Sequence, residues 1–303
     1  MRAVVVGAVG STEILLECLA EQPEWEVPLV LTLPPALHSR HSDIVDLCPL
    51  AAKAGATVHL TGDGNESDSL AAIANAQPDY IFVIGWSRIC GPDFLSLCPE
   101  KIVGYHPAAL PRLRGRAALP WTILLEEKIT AGSLFWMAEG TDDGDILSQE
   151  YFHIAPDETA STLYEKHMAA LKRMLTQTLP LLARGEEPRK KQDERYASWA
   201  ARRTAQDGRI DWSCSAYEID RLVRAVGRPY PGAFSQIGDS RIVIWQSAIS
   251  TLNPAQFHAL PGQIIARQKG SFTIQTGNGL LDVLEWEHDG QRQLPMHSIL
   301  GEL

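Results

Sequence analysis

The chain has 303 residues, 45% hydrophobic and 21% charged, a balance that excludes a disordered segment and suits a soluble protein of two domains. A formal net charge of -10 argues against a surface built to hold a phosphate backbone, so nucleic acid is not the expected partner. No apolar run is long enough to span a bilayer, and Met1 leads straight into a strand-like segment rather than a signal peptide, so a cytoplasmic protein without a membrane partner is expected.

Along the chain, Ala3 to Val6 is a short β-branched run with the form of a buried parallel strand. A helix from Thr12 to Ala20 follows, with Ser11 as its N-cap, then a strand from Val27 to Leu33 stopped by Pro34-Pro35. Ile44 to Ala54 is a predicted helix, Thr57 to Leu60 a strand, Ser67 to Asn75 a helix, and Tyr80 to Gly85 and Lys101 to Tyr105 are further strands. This alternation predicts an α/β fold with a doubly wound, mainly parallel sheet whose ligand crevice lies at the carboxyl ends of the strands. The crevice rim would then carry the loop after Val6, the Trp86-Ser87-Arg88 loop and His106. Gly7-Ala8-Val9-Gly10 lacks the third glycine of a dinucleotide loop and is better taken as a tight turn.

Thr159 to Ala183 is a long amphipathic helix, with Leu163, His167, Leu171 and Leu175 at four-residue steps. The charged run from Arg184 to Asp193 is expected to link two domains, residues 1–190 and 205–303. The second opens with a helix, Ser215 to Ala225. It continues in short strands around Ala233–Ile237, Arg241–Ser247, Gly262–Gln268, Ser271–Thr276 and Gly279–Trp286, as in a small β-barrel or sheet. Exposed edges in such a sheet would support a homodimer. The five cysteines are odd in number with no two-residue spacing of a zinc site, so no metal is expected; Cys18, Cys48 and Cys90 sit among apolar neighbours as buried thiols would.

The chemistry concentrates between Gly104 and Asp145. His106 ends a strand and is followed by Pro107, which limits the local backbone and fixes the direction of an imidazole suited to taking a proton near neutral pH. The acidic loop Glu139-Gly140-Thr141-Asp142-Asp143-Gly144-Asp145 offers a carboxylate that would stabilise the imidazolium, and Asp142 ranks above Asp145 for that role. Arg112, Arg114 and Arg116 flank Gly115; for Arg114, contact with an anionic substrate group and ion pairing to the acidic loop are equally supported.

The order x-His-x-x-x-Leu-Pro, Arg-Gly, then Asp-x-Gly-Asp-Ile resembles the 10-formyltetrahydrofolate-dependent formyltransferases. Asp207-Gly208-Arg209-Ile210-Asp211-Trp212 and Arg228-Pro229-Tyr230-Pro231-Gly232 resemble the C-terminal domain of the methionyl-tRNA and sugar branches of that family. The resemblance implies a Rossmann-like catalytic domain with His106 and Asp142 at the catalytic positions and 10-formyltetrahydrofolate as cosubstrate. It further implies a folate site made by Gly85, Trp86, Ser87, Arg88 and Ile89 together with Gly140, Thr141 and Asp145. The family pattern is Asn-x-His, in which the asparagine amide donates to the formyl oxygen, and this chain has Gly104 there. Residues two apart on a strand share a face, so Gly104 faces the site without a side chain. Loss of such a donor costs roughly 100- to 1000-fold in turnover. Replacement of the amide by another group is the expected outcome, because His106 and Asp142 both remain.

The acceptor is expected to be a small-molecule amine, since the second domain shows no dense Lys/Arg cluster. The loop from Pro34 to His41, beside the expected crevice, suits a small anionic ligand, and His38, Arg114 and Gly115 are the residues expected on the substrate side. A nucleotide-linked amino sugar is the first expectation. Methionyl-tRNA, a hydroxyornithine-type amine and a non-catalytic folate-binding role stand as alternatives.

Overall fold

The computed structural model describes residues 1–40, 43–288 and 294–301, which form two compact units. The first unit comprises residues 1–118, 128–153 and 164–201. The second comprises residues 119–127 and 154–163 together with the C-terminal part from Arg202.

In chain order the elements up to the long helix are β1 (Arg2–Val6), α1 (Gly10–Ala20), β2 (Glu26–Thr32), α2 (Cys48–Lys53), β3 (Thr57–Leu60), α3 (Ser67–Ala76), β4 (Tyr80–Val83), α4 (Pro92–Leu95), β5 (Ile102–His106), β6 (Arg114–Gly115), α5 (Ala118–Leu124), β7 (Ile129–Trp136), β8 (Ile146–His153) and α6 (Ala160–Ala183). A seven-stranded sheet in the order β3-β2-β1-β4-β5-β7-β8 is parallel from β3 to β5. β7 and β8 close it as antiparallel strands. Both faces are covered. One core joins Val5, Phe82, Val103 and Trp136 of the sheet to Leu15 and Leu19 of α1 and to Leu171, Leu175 and Leu179 of α6. The other joins Val4, Val6, Ile81 and Ile102 to Ile73 of α3 and Phe94 of α4. Burial on both sides explains why β1 and β4 read as continuous apolar runs. The expected doubly wound, mainly parallel fold is what the chain adopts.

Several local details differ from expectation. α1 begins at Gly10, with Ser11 buried in its first turn rather than capping it. α2 is confined to Cys48–Lys53, because Ile44 instead bridges Val9 in extended conformation. Cys48 is exposed at the start of α2, whereas Cys18 and Cys90 are buried. The hairpin of β7 and β8 has no periodicity to betray it: β7 is buried from Thr130 to Trp136, so apolar and small residues do not alternate.

The charged run after α6 packs along the first unit. Glu187 accepts the Tyr80 hydroxyl at 2.8 Å, the Trp136 indole donates to the Pro188 carbonyl at 2.9 Å, and Arg189 stacks 4.2 Å above the Trp136 ring. Lys190 then forms a two-bond bridge with Ile146 at the edge of β8. Beyond it, β9 (Trp199–Ala200) pairs parallel with β6. Glu187 and Arg189 of the run thus have local uses.

In the second unit, α7 (Ala216–Val226) is capped by Ser215, whose Oγ accepts from the Glu218 amide at 3.3 Å while the Glu218 carboxylate accepts from the Ser215 amide at 2.8 Å. Its buried Ile219 and Val223 serve a five-stranded antiparallel sheet ordered β10-β11-β14-β13-β12, with β10 Ala233–Ile237, β11 Ser240–Ile249, β12 Ile264–Gln268, β13 Ser271–Gln275 and β14 Leu280–His288. Among the described residues, no helix is long and apolar enough to cross a membrane.

Candidate active site

His106 is the last residue of β5, and its side chain is almost fully buried. The loop after β7 starts beside the opposite end of β5, where the Met137 amide donates to the Ile102 carbonyl. It then folds back over the sheet, so that Asp142 Oδ2 lies 3.5 Å from His106 Nδ1. On the other side of the ring, His106 Nε2 lies 2.7 Å from the Leu113 carbonyl. A carbonyl oxygen can only accept, so Nε2 carries a proton and Nδ1 is the nitrogen that faces the carboxylate. Asp142 Oδ2 also accepts from the Gly115 amide at 2.7 Å. Gly115 stands at φ +103°, and a Cβ there would come 2.8 Å from the Ala200 carbonyl, so the close approach of β6 to β9 requires glycine.

Arg114 turns away from the imidazole. The residue is 2% exposed, and its guanidinium donates to Gln192 Oε1 at 3.1 and 2.8 Å and to both carboxylate oxygens of Glu194 at 3.0 and 2.6 Å. Gln192 Nε2 donates in turn to the carbonyls of Asp142 and Gly144, each at 2.7 Å. The link between Arg114 and the acidic loop is therefore a neutral amide rather than a direct ion pair, and the charge of Arg114 is met by Glu194.

Position 104 is not an open gap. A Cβ on Gly104 would lie 2.8 Å from Phe135 Cζ, 2.9 Å from Phe135 Cε1 and 3.2 Å from Met137 Cγ. Phe135 is the register partner of Gly104 across the β5–β7 pair, and its ring packs with Leu110 and Ile146. Space that a polar side chain would need is thus occupied by an aromatic ring. Tyr105 alternates to the other face, where its hydroxyl meets His167 Nδ1 at 3.1 Å.

The loop after β4 begins with Gly85 at φ +77°, where a Cβ would fall 2.5 Å from Val9 Cγ2 and 2.7 Å from Thr12 Oγ1. The glycine lets the loops after β1 and β4 meet, and the Ala8 amide donates to the Gly85 carbonyl at 3.1 Å. Ser87, Arg88 and Ile89 are exposed on the rim, Ile89 at 81%. The indole nitrogen of Trp86 is buried without a hydrogen-bond partner. Asn65, from the turn after β3, holds the far end of this loop: its amide donates to the Ile89 carbonyl at 2.8 Å and its Oδ1 accepts from the Gly91 amide at 2.6 Å. Gly140 and Thr141 are exposed in the acidic loop, and the Asp145 carbonyl receives the Trp136 amide at 2.9 Å. His38 lies in a short 3-10 turn with Nε2 against the Leu33 carbonyl at 3.2 Å, while His41 lies outside the described residues.

The fold thus brings His106, Asp142 and Gly115 together and places Arg114 one layer behind them. Asn65, Phe135, Gln192 and the Leu113 carbonyl have no signature in residue spacing. Each acts through a partner 7 or more positions away in the chain, as Gln192 does over 50 positions to Asp142.

Residues 8–179 match the family model described as formyl transferase, and residues 202–302 match its C-terminal domain. HypX from Aquifex aeolicus in complex with tetrahydrofolic acid superposes with a TM-score of 0.68 at 18% identity, over 95% of this chain and 44% of that one. This chain therefore spans under half the length of HypX. An N-formyltransferase from Helicobacter canadensis, solved with folinic acid and dTDP-3-aminofucose, superposes with a TM-score of 0.67 at 17% identity, covering 95% of this chain and all of its own (100%). Methionyl-tRNA formyltransferase from Clostridium thermocellum gives 0.60 at 19% identity over 84% and 95% of the two chains.

Proposed function

The chain belongs to the formyl transferase family, and from that membership we propose that it moves a formyl group from 10-formyltetrahydrofolate to the amino group of a small molecule, a nucleotide-linked amino sugar foremost. The observation that carries this reading is the His106–Asp142 pair, set at the carboxyl end of β5 where a doubly wound sheet places its ligand crevice. Of the neighbours reported above, the Helicobacter protein pairs a folate with an amino-sugar nucleotide and supports the choice of acceptor, as does the net charge of -10 against a tRNA.

The rim residues suit a folate. The unpartnered Trp86 indole N–H offers a donor, exposed Ile89 an apolar surface, and Arg88 a cation for carboxylate groups. When bound, the formyl donor supplies an electrophilic carbonyl carbon. As the amine nitrogen bonds to that carbon and the carbon–N10 bond of the folate breaks, the amine must lose a proton and the departing nitrogen gain one; His106 Nδ1 is the ring nitrogen able to carry it, because Nε2 is committed to the Leu113 carbonyl. Asp142, held by the Gly115 amide, stabilises the resulting imidazolium.

Incubation with 10-formyltetrahydrofolate and dTDP-3-aminofucose should give N-formyl product, and both His106→Ala and Asp142→Asn should lower turnover by about 100-fold or more. Transfer to methionyl-tRNA or hydroxyornithine in place of the sugar would reassign the acceptor and leave the chemistry intact. The Phe135 ring over Gly104 favours a second reading, a folate-binding homologue without turnover. Tight folate binding with no transfer to any of the three amines would establish it.

A further inference from the structure

Gln192 lies in the charged run after α6, yet every hydrogen-bonding group of its side chain is used on the candidate site. Oε1 accepts twice from Arg114, at 3.1 and 2.8 Å. Nε2 carries two protons and donates to two carbonyls, those of Asp142 and Gly144, at 2.7 Å each. The amide cannot be turned over, since that would set its oxygen against two carbonyls and its NH2 against a guanidinium. Neither a carboxylate nor a cation can replace it: a carboxylate faces the same two carbonyls with an acceptor, and a cation faces Arg114 with a donor. Arg114 is itself pinned by Glu194, so the clamp rests on a fixed base.

What the clamp holds is a backbone that resists its own conformation. Asp142 stands at φ +52°, a region that costs a residue with a side chain of order 1 kcal/mol or more. Its carboxylate reaches Gly115 and His106 only while the loop keeps that turn. Gln192 grips the main chain at residue 142 and again at residue 144, on either side of Asp143.

We propose that Gln192 is a positioning residue for the His106–Asp142 pair, fixing the carboxylate through the backbone of its loop without touching substrate. The kinetic consequence rests on the formyl-transfer reading; the positional one does not. Amide hydrogen exchange at Gly115, whose N–H donates to Asp142 Oδ2, reports the carboxylate's place without any substrate. Gln192→Ala should raise exchange at Gly115 on the order of tenfold, approaching Asp142→Ala, while Lys191→Ala leaves it unchanged. Gln192→Glu, which keeps the size and the Arg114 contacts, should do the same and serves if the alanine variant does not fold. With 10-formyltetrahydrofolate and dTDP-3-aminofucose, kcat should fall about 10- to 100-fold in both variants while KM for the folate stays unchanged. Unaltered Gly115 exchange in a folded Gln192 variant overturns the proposal, as does a rise in folate KM that accounts for the whole loss. Faster Gly115 exchange in a protein whose wild type formylates no amine would uphold the positioning and refute formyl transfer.

Discussion

At Gly104 the side chain that is missing and the ring that fills its place belong together. An asparagine there must displace Phe135 or Met137, both within 3.2 Å of the added Cβ. Gly104→Asn should therefore destabilise the protein by about 1–3 kcal/mol in urea unfolding, the usual cost of overpacking a filled core. Phe135→Ala alone opens a cavity and should cost about 3–5 kcal/mol. The double variant should be more stable than the sum of the two losses allows, because the new side chain enters the space the ring vacates. Additive losses would mean that the two positions do not compete. The placement of His106 follows a simpler residue-level rule: the alternation of β5 puts residues 104 and 106 on one face, as the sequence alone requires.

Among the elements, the loop after β4 depends on a neighbour that its own sequence does not reveal. Asn65 ties both the Ile89 carbonyl and the Gly91 amide to the turn after β3. Two such hydrogen bonds contribute about 1–3 kcal/mol together. Asn65→Ala should accordingly weaken folate binding by roughly tenfold in calorimetric titration while leaving kcat at saturating folate intact. Equal affinity for folate in the variant would show that the loop is held without Asn65. Elements with local signals were legible in the sequence: the helix α7, expected from Ser215 to Ala225, and the apolar runs of β1 and β4 need no distant partner. β7 was not legible, since a strand buried on both faces with Gly132 and Ser133 in its middle has neither alternation nor a boundary. The charged run after α6 read only as a link between two domains because its partners, Tyr80, Trp136 and Ile146, come from three different strands.

For the whole molecule, pH stability should carry the mark of His167, which lies fully buried on α6 beneath β5. Burial, with the neighbouring His106 second, lowers its pKa from 6.5 to about 3. Below 6.5 the unfolded chain takes up a proton that the fold refuses, so this contribution is complete above that pH and is lost as pH falls toward 3. His167→Gln should flatten the fall of Tm with acidification in that window, compared with the unaltered chain; parallel curves would exclude His167 as the source. The chain by itself determined the doubly wound sheet, the family and the His106–Asp142 pair, since periodicity and short motifs are local properties of sequence. Only the tertiary structure decided that Phe135 fills the place above Gly104, that Arg114 is neutralised by Glu194, and that Gln192 grips the acidic loop. Those contacts join residues tens of positions apart, and packing and hydrogen-bond direction exist only once the sheet and the loop that crosses it have formed.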